Sequence, residues 1–406
     1  MLVAWVFDAA DGVIYALTLP MIREEFGLSL GQMGMIGSVF LFGAVLGSFF
    51  IPLLADHKGR RIGMISCIGL YSVFSGITGL AQNFYHVAIA RFFTGGGTGG
   101  EWPVGAAYLT EVVPAKRRGF AMGLMQAGYP IGYFIAAVIF AAIIGGNFGW
   151  RSCYYVLVIP AILCFFVLST LKESERWLQA KEESRKASAE GKAKNEKISV
   201  WELFKPQYRK YTLISTILHI CGGFYSWGLV LWFPTILMLD FKIDKMTTSY
   251  ITMIMWAIAT IGYVSAGPIS DRIGRKPTMA LFVTISLISV IYLNYLKTQT
   301  GVSMATIYVI ATLIGIGMGA HTVLISYSTE IFPSYVRSLG VGFAIAVGKV
   351  AGMAAPALMG FVAQQYSVAI GLLIAVLVGW CMVPTMFFGP ETAGKRLEDI
   401  IQAKNA

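Results

Sequence analysis

Long apolar segments recur along this chain, and each is about long enough to cross a lipid bilayer as a helix. Only 13% of the residues are charged, whereas soluble domains average about 25%, and the mean hydropathy is +0.69. A soluble globular fold is therefore excluded. The pattern predicts an all-α membrane protein with twelve transmembrane helices. We place these helices at residues 3–22, 32–55, 62–81, 86–109, 120–144, 151–171, 211–239, 247–270, 277–297, 303–328, 339–363 and 366–389.

The basic residues indicate which side of the membrane each connection faces. Of the 31 Lys and Arg residues, 24 lie in one alternating set of connections and five lie in or beside the other set. Because positively charged connections stay in the cytoplasm, we expect both termini and residues 172–210 to be cytoplasmic. The formal net charge of +10 thus orients the chain in a plasma membrane, the inner membrane of a prokaryote, and does not indicate nucleic-acid binding.

Two short motifs each occur twice, at nearly the same separation. ADHKGRRIG at 55–63 returns as SDRIGRKPT at 270–278, and TEVVPAKRRG at 110–119 returns as TEIFPSYVRS at 329–338. The chain is therefore expected to contain two copies of a six-helix unit in the same orientation. Parallel repeats with a substrate site between them, near the bilayer midplane, are typical of secondary transporters. We divide the chain into an N-terminal half at 1–171, a cytoplasmic linker at 172–210, a C-terminal half at 211–389 and a cytoplasmic tail at 390–406.

The repeated loop D-x-x-G-R-[RK] resembles the cytoplasmic signature of the major facilitator superfamily. R-x-x-x-G at 91–95 resembles the second signature of that superfamily, and GGEWPVGAAYLTE at 99–111 is similar to its metabolite:proton and sialate:proton symporters. KESERWL at 172–178 and GPET at 389–392 resemble the sugar-porter signatures, although Lys172 stands where the first of these has proline. The resemblance covers the whole chain and implies transport by alternating access.

The predicted fourth helix combines closely spaced glycines with two charges. Its glycines recur four residues apart (Gly95 with Gly99), which lets a neighbouring backbone approach closely. Arg91 and Glu101 each cost at least about 2.5–3.5 kcal/mol at membrane depth. They lie ten residues apart, or about 15 Å along the helix, and so cannot pair with each other. Each needs a partner on another helix or a watery cavity.

The first predicted helix carries two carboxylates, Asp8 and Asp11, one turn apart on one face. Two carboxylates that close in a low dielectric do not both ionise easily, which suits a proton carrier. The pair looks like the D-x-x-D of aromatic-acid and sialate symporters. We therefore predict that Asp8, Asp11 and Glu101 exchange the coupled proton. The alternative is that the helix starts later and Asp8 lies at the membrane interface.

Arg91 and Lys349 are the two cations within predicted spans, which makes them candidates for binding a substrate anion. The planar fork of Arg91 suits a carboxylate, so it could instead pair with a carboxylate of the first helix. His219 and His321 are weaker candidates, because buried histidines are often only hydrogen-bonded. The predicted substrate site comprises Arg91, Lys349, His321, Tyr133, Tyr129 and Trp227.

The duplicated loops predict a latch that closes the cytoplasmic side, in which carboxylates and arginines bridge helix ends. We expect Glu111 to pair with Arg117 or Arg118, and Glu330 to pair with Arg337. The alternative is that these are ordinary positively charged loops. The predicted gating residues are Asp56, Gly59, Arg60, Arg61, Glu111, Arg118, Asp271, Gly274, Arg275, Glu330 and Arg337.

These patterns favour proton-coupled symport of a small organic anion, which would be a monocarboxylate, an aromatic acid or an acidic sugar. The alternatives are a neutral sugar or polyol carrier, supported by KESERWL and GPET, and a transporter-like receptor that moves nothing. We expect no enzyme activity, because the sequence has no Walker lysine motif, no His/Cys metal spacing and no G-x-S-x-G elbow. We expect the proton gradient as energy source, no cofactor or metal, and a monomer whose partners are the anion, H⁺ and the bilayer.

Overall fold

The computed structural model describes residues 2–112, 118–170, 173–175, 177–179, 182, 200–299, 301–332 and 336–393. Almost all of these residues are helical, and the helices follow the order of the predicted spans. Their bounds are α1 Leu2–Phe26, α2 Leu30–Lys58, α3 Arg60–Gly79, α4 Phe84–Val112, α5 Arg118–Gly145, α6 Trp150–Thr170, α7 Arg209–Leu239, α8 Lys245–Ile273, α9 Arg275–Leu296, α10 Met304–Gly317 with Ala320–Glu330, α11 Arg337–Gln365 and α12 Val368–Trp380 with Met382–Phe387.

The predicted all-helical membrane fold is confirmed. Within the described residues, ten helices are long and apolar enough to cross a membrane, and α4 and α6 occupy the two remaining predicted positions. A short 3₁₀ helix, Val200–Phe204, precedes α7. We use "outer end" for the helix ends that the charge distribution assigns to the side opposite the cytoplasm.

Two of the predicted spans, α10 and α12, contain a tighter turn within a helix that otherwise runs through the span. The turn in α10 falls at Met318 and Gly319, which keep right-handed helical backbone angles. The turn in α12 falls at Cys381, three residues before Pro384, and its backbone angles are also helical. A proline has no N–H and its ring clashes with the carbonyl four residues earlier, which favours such a local distortion.

The chain divides by packing into two compact units. The first comprises Met1–Ile14, Val39–Ala136 and Gly146–Lys197, and the second comprises Tyr15–Ser38, Ala137–Gly145 and Ile198–Ala406. The second unit thus includes the outer ends of α1, α2 and α5 together with the later helices. Because this division follows packing rather than the sequence repeat, the predicted halves at 1–171 and 211–389 stay a prediction.

In the first unit, α4 packs on α2 through glycines on both helices. A Cβ added at Gly95, Gly99, Gly43 or Gly47 would lie 1.9 Å from a carbonyl oxygen of the facing helix. Any larger residue would therefore force the two backbones apart. The close backbone approach expected from the glycine spacing is confirmed, and its partner is α2.

In the second unit, the outer end of α2 packs directly on α11. A Cβ added at Gly34 would lie 2.1 Å from the Pro356 carbonyl oxygen. The Ala357 backbone N–H donates to Ser38 Oγ at 3.1 Å, which adds a polar contact to the same surface. Ser249 Oγ of α8 likewise donates to the Ala137 carbonyl of α5 at 2.7 Å. The outer ends of α2 and α5 are therefore held against α11 and α8.

A cavity of about 520 Å³ lies in the second unit at these outer ends. It contains none of the predicted site residues. Its lining consists of Pro20, Arg23, Glu24, Gly27, Leu28, Met238, Leu239, Ile243, Asp244 and Lys245.

Candidate functional site

A buried ion pair joins four helices of the first unit. Asp11 of α1 lies 2.7 Å (Oδ2 to Nη1) from Arg91 of α4, and the two side chains are 2% and 0% exposed. Ser75 Oγ of α3 donates to Asp11 Oδ1 at 2.6 Å. The guanidinium carbon of Arg91 lies 4.7 Å from the centre of the Phe40 ring of α2. Arg91 therefore pairs with a carboxylate of the first helix, which is one of the two roles that the sequence left open.

This geometry makes Asp11 and Arg91 depend on each other. Two opposite charges can be buried together, but removing one leaves the other uncompensated in a low dielectric. Each charge therefore stabilises the other in this buried position.

Glu101 of α4 lies in a different electrostatic environment. It is 1% exposed, and neither carboxylate oxygen has a hydrogen-bond partner among the described residues. Asp8 of α1, which is 8% exposed, lies within electrostatic range of Glu101. Asp8 lies within α1, which begins at Leu2, and its depth in the membrane stays a prediction. Two nearby negative charges buried in this way are costly, so Glu101 is a candidate proton carrier.

Aromatic rings lie beside these carboxylates. Trp5 and Tyr129 have ring centroids 5.3 Å apart, and Tyr129 and Tyr133 have centroids 4.7 Å apart. Tyr129 interacts electrostatically with Asp8. Both tyrosines predicted for the substrate site therefore lie in the first unit, next to a predicted proton carrier.

The first copy of the signature loop forms a cluster of charges where α2, α3 and α4 end or begin. Arg60 pairs with Asp56, and its Nε donates to Glu111 Oε1 at 3.1 Å. Glu173, which follows α6, accepts a hydrogen bond from the Arg60 backbone N–H at 2.9 Å and one from the Arg61 N–H at 3.2 Å. A negative charge at a helix N-terminus is stabilising, so Glu173 caps α3.

The second copy repeats this arrangement. Arg275 lies 2.6 Å from Asp271 and 2.7 Å from Glu330. Glu391, which follows α12, accepts hydrogen bonds from the backbone N–H groups of Arg275 at 2.8 Å and Lys276 at 3.1 Å. In both copies, therefore, one arginine binds two carboxylates. A third carboxylate accepts hydrogen bonds from the N-terminus of the helix that begins with that arginine.

The glycine of each loop is required by its backbone and by the capping carboxylate. Gly59 has φ 115° and Gly274 has φ 103°, values that side chains with a Cβ rarely adopt. A Cβ at Gly59 would lie 2.2 Å from a Glu173 carboxylate oxygen, and one at Gly274 would lie 3.0 Å from Glu391. Glycine thus lets both glutamates approach the start of the next helix.

The glutamates of α4 and α10 each pair with a signature arginine. Glu111 pairs with Arg60, and Glu330 pairs with Arg275, because the glycine turn points each signature arginine across to the neighbouring helix. The side chains of Arg118 and Arg337, and all of Arg117, lie outside what the structure describes. The sequence analysis did not predict the capping roles of Glu173 and Glu391, which lie within KESERWL and GPET. The sequence signal for these capping roles was the common position of the two glutamates, just after the last helix of each repeat.

The predicted residues of the later helices lie in the second unit. Lys349 of α11 and Trp227 of α7 are half-buried, and His321 lies just after the tighter turn in α10. The Nδ1 atom of His219 on α7 lies 2.9 Å from the Ser215 carbonyl oxygen. Among the described residues, no cluster of three or more His, Cys, Asp or Glu side chains could hold a metal ion.

Known proteins with similar sequences and structures span the full length of this chain. A protein named "Probable 4-methylmuconolactone transporter" from Cupriavidus pinatubonensis is 27% identical, over 98% of this chain and 91% of its own length. The niacin transporter NiaP of Acinetobacter baylyi is 26% identical, over 98% and 94%. A solved D-xylose-proton symporter shares the fold, with a TM-score of 0.79, 19% identity and 98% coverage of both chains.

The sequence model of the Major Facilitator Superfamily matches residues 1–325 and, in a second match, residues 215–404. The matches together cover nearly the whole chain, and the signature loop has the same geometry at Gly59 and Gly274. This chain therefore belongs to the Major Facilitator Superfamily and is a multi-pass membrane transporter rather than an enzyme.

Proposed function

We propose that this protein is a symporter that carries a small organic anion and H⁺ together across the inner membrane by alternating access. The observation that carries this proposal is the buried Asp11–Arg91 pair, with Glu101 buried on the same helix without a hydrogen-bond partner among the described residues. The relatives named as transporters of a muconolactone and of niacin support an organic acid as the cargo.

Coupling follows from competition for Arg91. Its guanidinium forms a two-pronged contact with one carboxylate at a time, so Asp11 and a substrate carboxylate compete for it. A proton on Asp11 removes this competition, and so the proton and the anion each favour binding of the other. Glu101 and Asp8 form the second place where a proton relieves repulsion between buried carboxylates.

The two signature clusters are proposed to latch the cytoplasmic side. Each holds three helix ends and the segment after the sixth or twelfth helix through a single arginine, Arg60 or Arg275. Opening this side requires these contacts to separate. The capping glutamates Glu173 and Glu391 would then move with the segments that follow α6 and α12.

The test is uptake into proteoliposomes with an imposed pH gradient, acid outside. Labelled nicotinate, benzoate and cis,cis-muconate are offered as acids, and D-xylose is offered as a neutral control. We expect the wild-type protein to concentrate at least one acid only when the gradient is present. Asp11→Asn or Glu101→Gln should lose this accumulation but keep counterflow, in which labelled and unlabelled acid exchange without net proton movement.

Glu24→Gln is the matched control, because Glu24 is an exposed carboxylate at the outer end of α1. It should behave as the wild type. Gradient-driven accumulation by a variant with Asp8, Asp11 and Glu101 all neutralised would place the coupling elsewhere. Uptake of D-xylose but of none of the acids would favour the neutral sugar carrier instead.

A further inference from the structure

One face of α7 carries several polar groups with buried atoms. Thr216, His219, Gly223 and Ser226 are spaced by three, four and three residues, which puts them on one side of the helix. Thr216 Oγ1, His219 Nε2 and Ser226 Oγ have no hydrogen-bond partner among the described residues, and neither has the adjacent Ser215 Oγ. Native proteins rarely bury polar atoms in this way unless water or a ligand satisfies them.

His219 has a defined orientation within this face. The residue is 7% exposed, and its Nδ1 atom lies 2.9 Å from the Ser215 carbonyl oxygen. Because a carbonyl oxygen can only accept, Nδ1 must carry the hydrogen, and Nε2 lies on the opposite edge of the ring. A neutral His219 therefore accepts a hydrogen at Nε2, and a protonated one donates to a carboxylate oxygen. Both states fit a carboxyl group that arrives with one proton.

A second histidine lies close to the first. His321 on α10 is within electrostatic range of His219 and is half-buried. It comes two residues after Gly319, where the two segments of α10 meet in a tighter turn.

The third helix at this place is α11, which approaches through glycine. A Cβ added at Gly348 would lie 2.7 Å from the His219 Cβ, and one added at Gly223 would lie 3.0 Å from the Gly348 carbonyl oxygen. The polar face of α7 therefore meets α11, and Lys349 is the next residue along α11.

We propose that His219 and His321 form the subsite that receives the carboxyl group of the transported acid, together with one proton. This inference rests on the proposed function, since it takes an organic acid as the cargo. It assigns His219, a weaker candidate in the sequence, to direct contact with the substrate through Nε2.

Two substitutions at His219 separate this role from a structural one. Asparagine can keep the contact that Nδ1 makes with the Ser215 carbonyl but has no atom at the position of Nε2. Glutamine reaches the position of Nε2 but loses the Ser215 contact. If Nε2 binds the substrate, His219→Asn should weaken binding at least about tenfold, and His219→Gln should retain more of the affinity. A structural role would reverse this order.

The measurement is equilibrium binding to the purified full-length protein at one fixed pH. Nicotinate, benzoate and cis,cis-muconate are compared first, and the acid that binds the wild type most tightly is then used for the variants. His321→Gln should also weaken binding. His86→Asn is the matched control, because His86 is exposed, and its affinity should equal that of the wild type. Thermal unfolding checks that every variant is folded.

The outcomes distinguish the two proposals. Wild-type-like affinity in folded His219→Asn would overturn the subsite while leaving acid transport intact, and so would tighter binding by His219→Asn than by His219→Gln. A wild-type protein that neither binds nor transports any of the three acids would overturn the proposed function, and the subsite with it.

Discussion

At the scale of single residues, the first unit contains a fully buried ion pair. Arg91 is fully buried, and its charge is compensated by Asp11 from a different helix. Breaking a buried pair by removing one partner costs about 3–5 kcal/mol, whereas replacing both partners with uncharged residues can be nearly neutral. Each member of the pair therefore contributes to stability mainly by compensating the charge of the other.

We predict that Arg91→Leu lowers the free energy of unfolding by about 3–5 kcal/mol, because Asp11 is left buried without its cation. The double variant Asp11→Asn/Arg91→Leu should recover much of this loss. Unfolding in detergent measures both, with the exposed Arg272→Leu as the control that should change little. A double variant as unstable as Arg91→Leu alone would mean that the arginine stabilises the protein by packing rather than by charge.

At the scale of elements, the start of α9 is stabilised by a carboxylate from a distant segment. Partial burial alone would raise the pKa of Glu391, but hydrogen bonds from the backbone N–H groups of Arg275, Lys276, Ala393 and Thr392 hold this pKa below its usual range. A carboxyl group with a lowered pKa stabilises the folded state at pH values above its ordinary pKa of about 4.3. This stabilisation is lost as the pH falls through the lowered value.

We predict that Glu391→Gln is less stable than the wild type at pH 7 by about 0.5–1 kcal/mol, because the helix loses its charged cap. The difference should disappear as the pH falls below about 4. Thermal unfolding at pH values between 7 and 3 measures this change. In the control variant Glu24→Gln, the stability should depend on pH as it does in the wild type. If Glu391→Gln is less stable than the wild type by the same amount at every pH, the cap acts through its shape rather than its charge.

At the scale of the whole molecule, the proposed alternating access would require the outer ends of α2 and α11 to separate. These ends meet with no space for a side chain at Gly34, and the Ala357 N–H bonds to Ser38. Alternating access needs such contacts to form and break in each cycle. A side chain at Gly34 should therefore change which state the protein occupies.

We predict that Gly34→Ala forces α2 and α11 apart and slows net transport, because a Cβ there would lie 2.1 Å from a backbone oxygen. Spin labels at Met35 and Gln365 should report a longer distance than in the unsubstituted protein. Gly69→Ala is the matched control, since a Cβ at Gly69 meets nothing within 4 Å. Unchanged distances together with normal transport would show that the two helices close without this contact.

The sequence by itself determined the properties that depend on local composition. Twelve apolar segments predict twelve helices, because the length and polarity of each segment decide whether it can cross a bilayer. The glycine spacing of α4 predicts close packing, because a helix face without side chains admits a neighbouring backbone. The duplicated D-x-x-G-R-[RK] loops predict equivalent turns, and Gly59 and Gly274 have nearly the same φ.

Only the tertiary structure decided which partners meet. Arg91 pairs with Asp11, 80 positions away in the chain, and Glu173 caps a helix that begins 113 positions before it. Glu111 and Glu330 bind the signature arginines Arg60 and Arg275, which lie 51 and 55 positions earlier in the chain. The physical reason is that helix periodicity determines on which face of its own helix a side chain lies. Packing between helices determines which neighbouring helix that face contacts. The tighter turn in α10 that precedes His321 was likewise seen only in the structure.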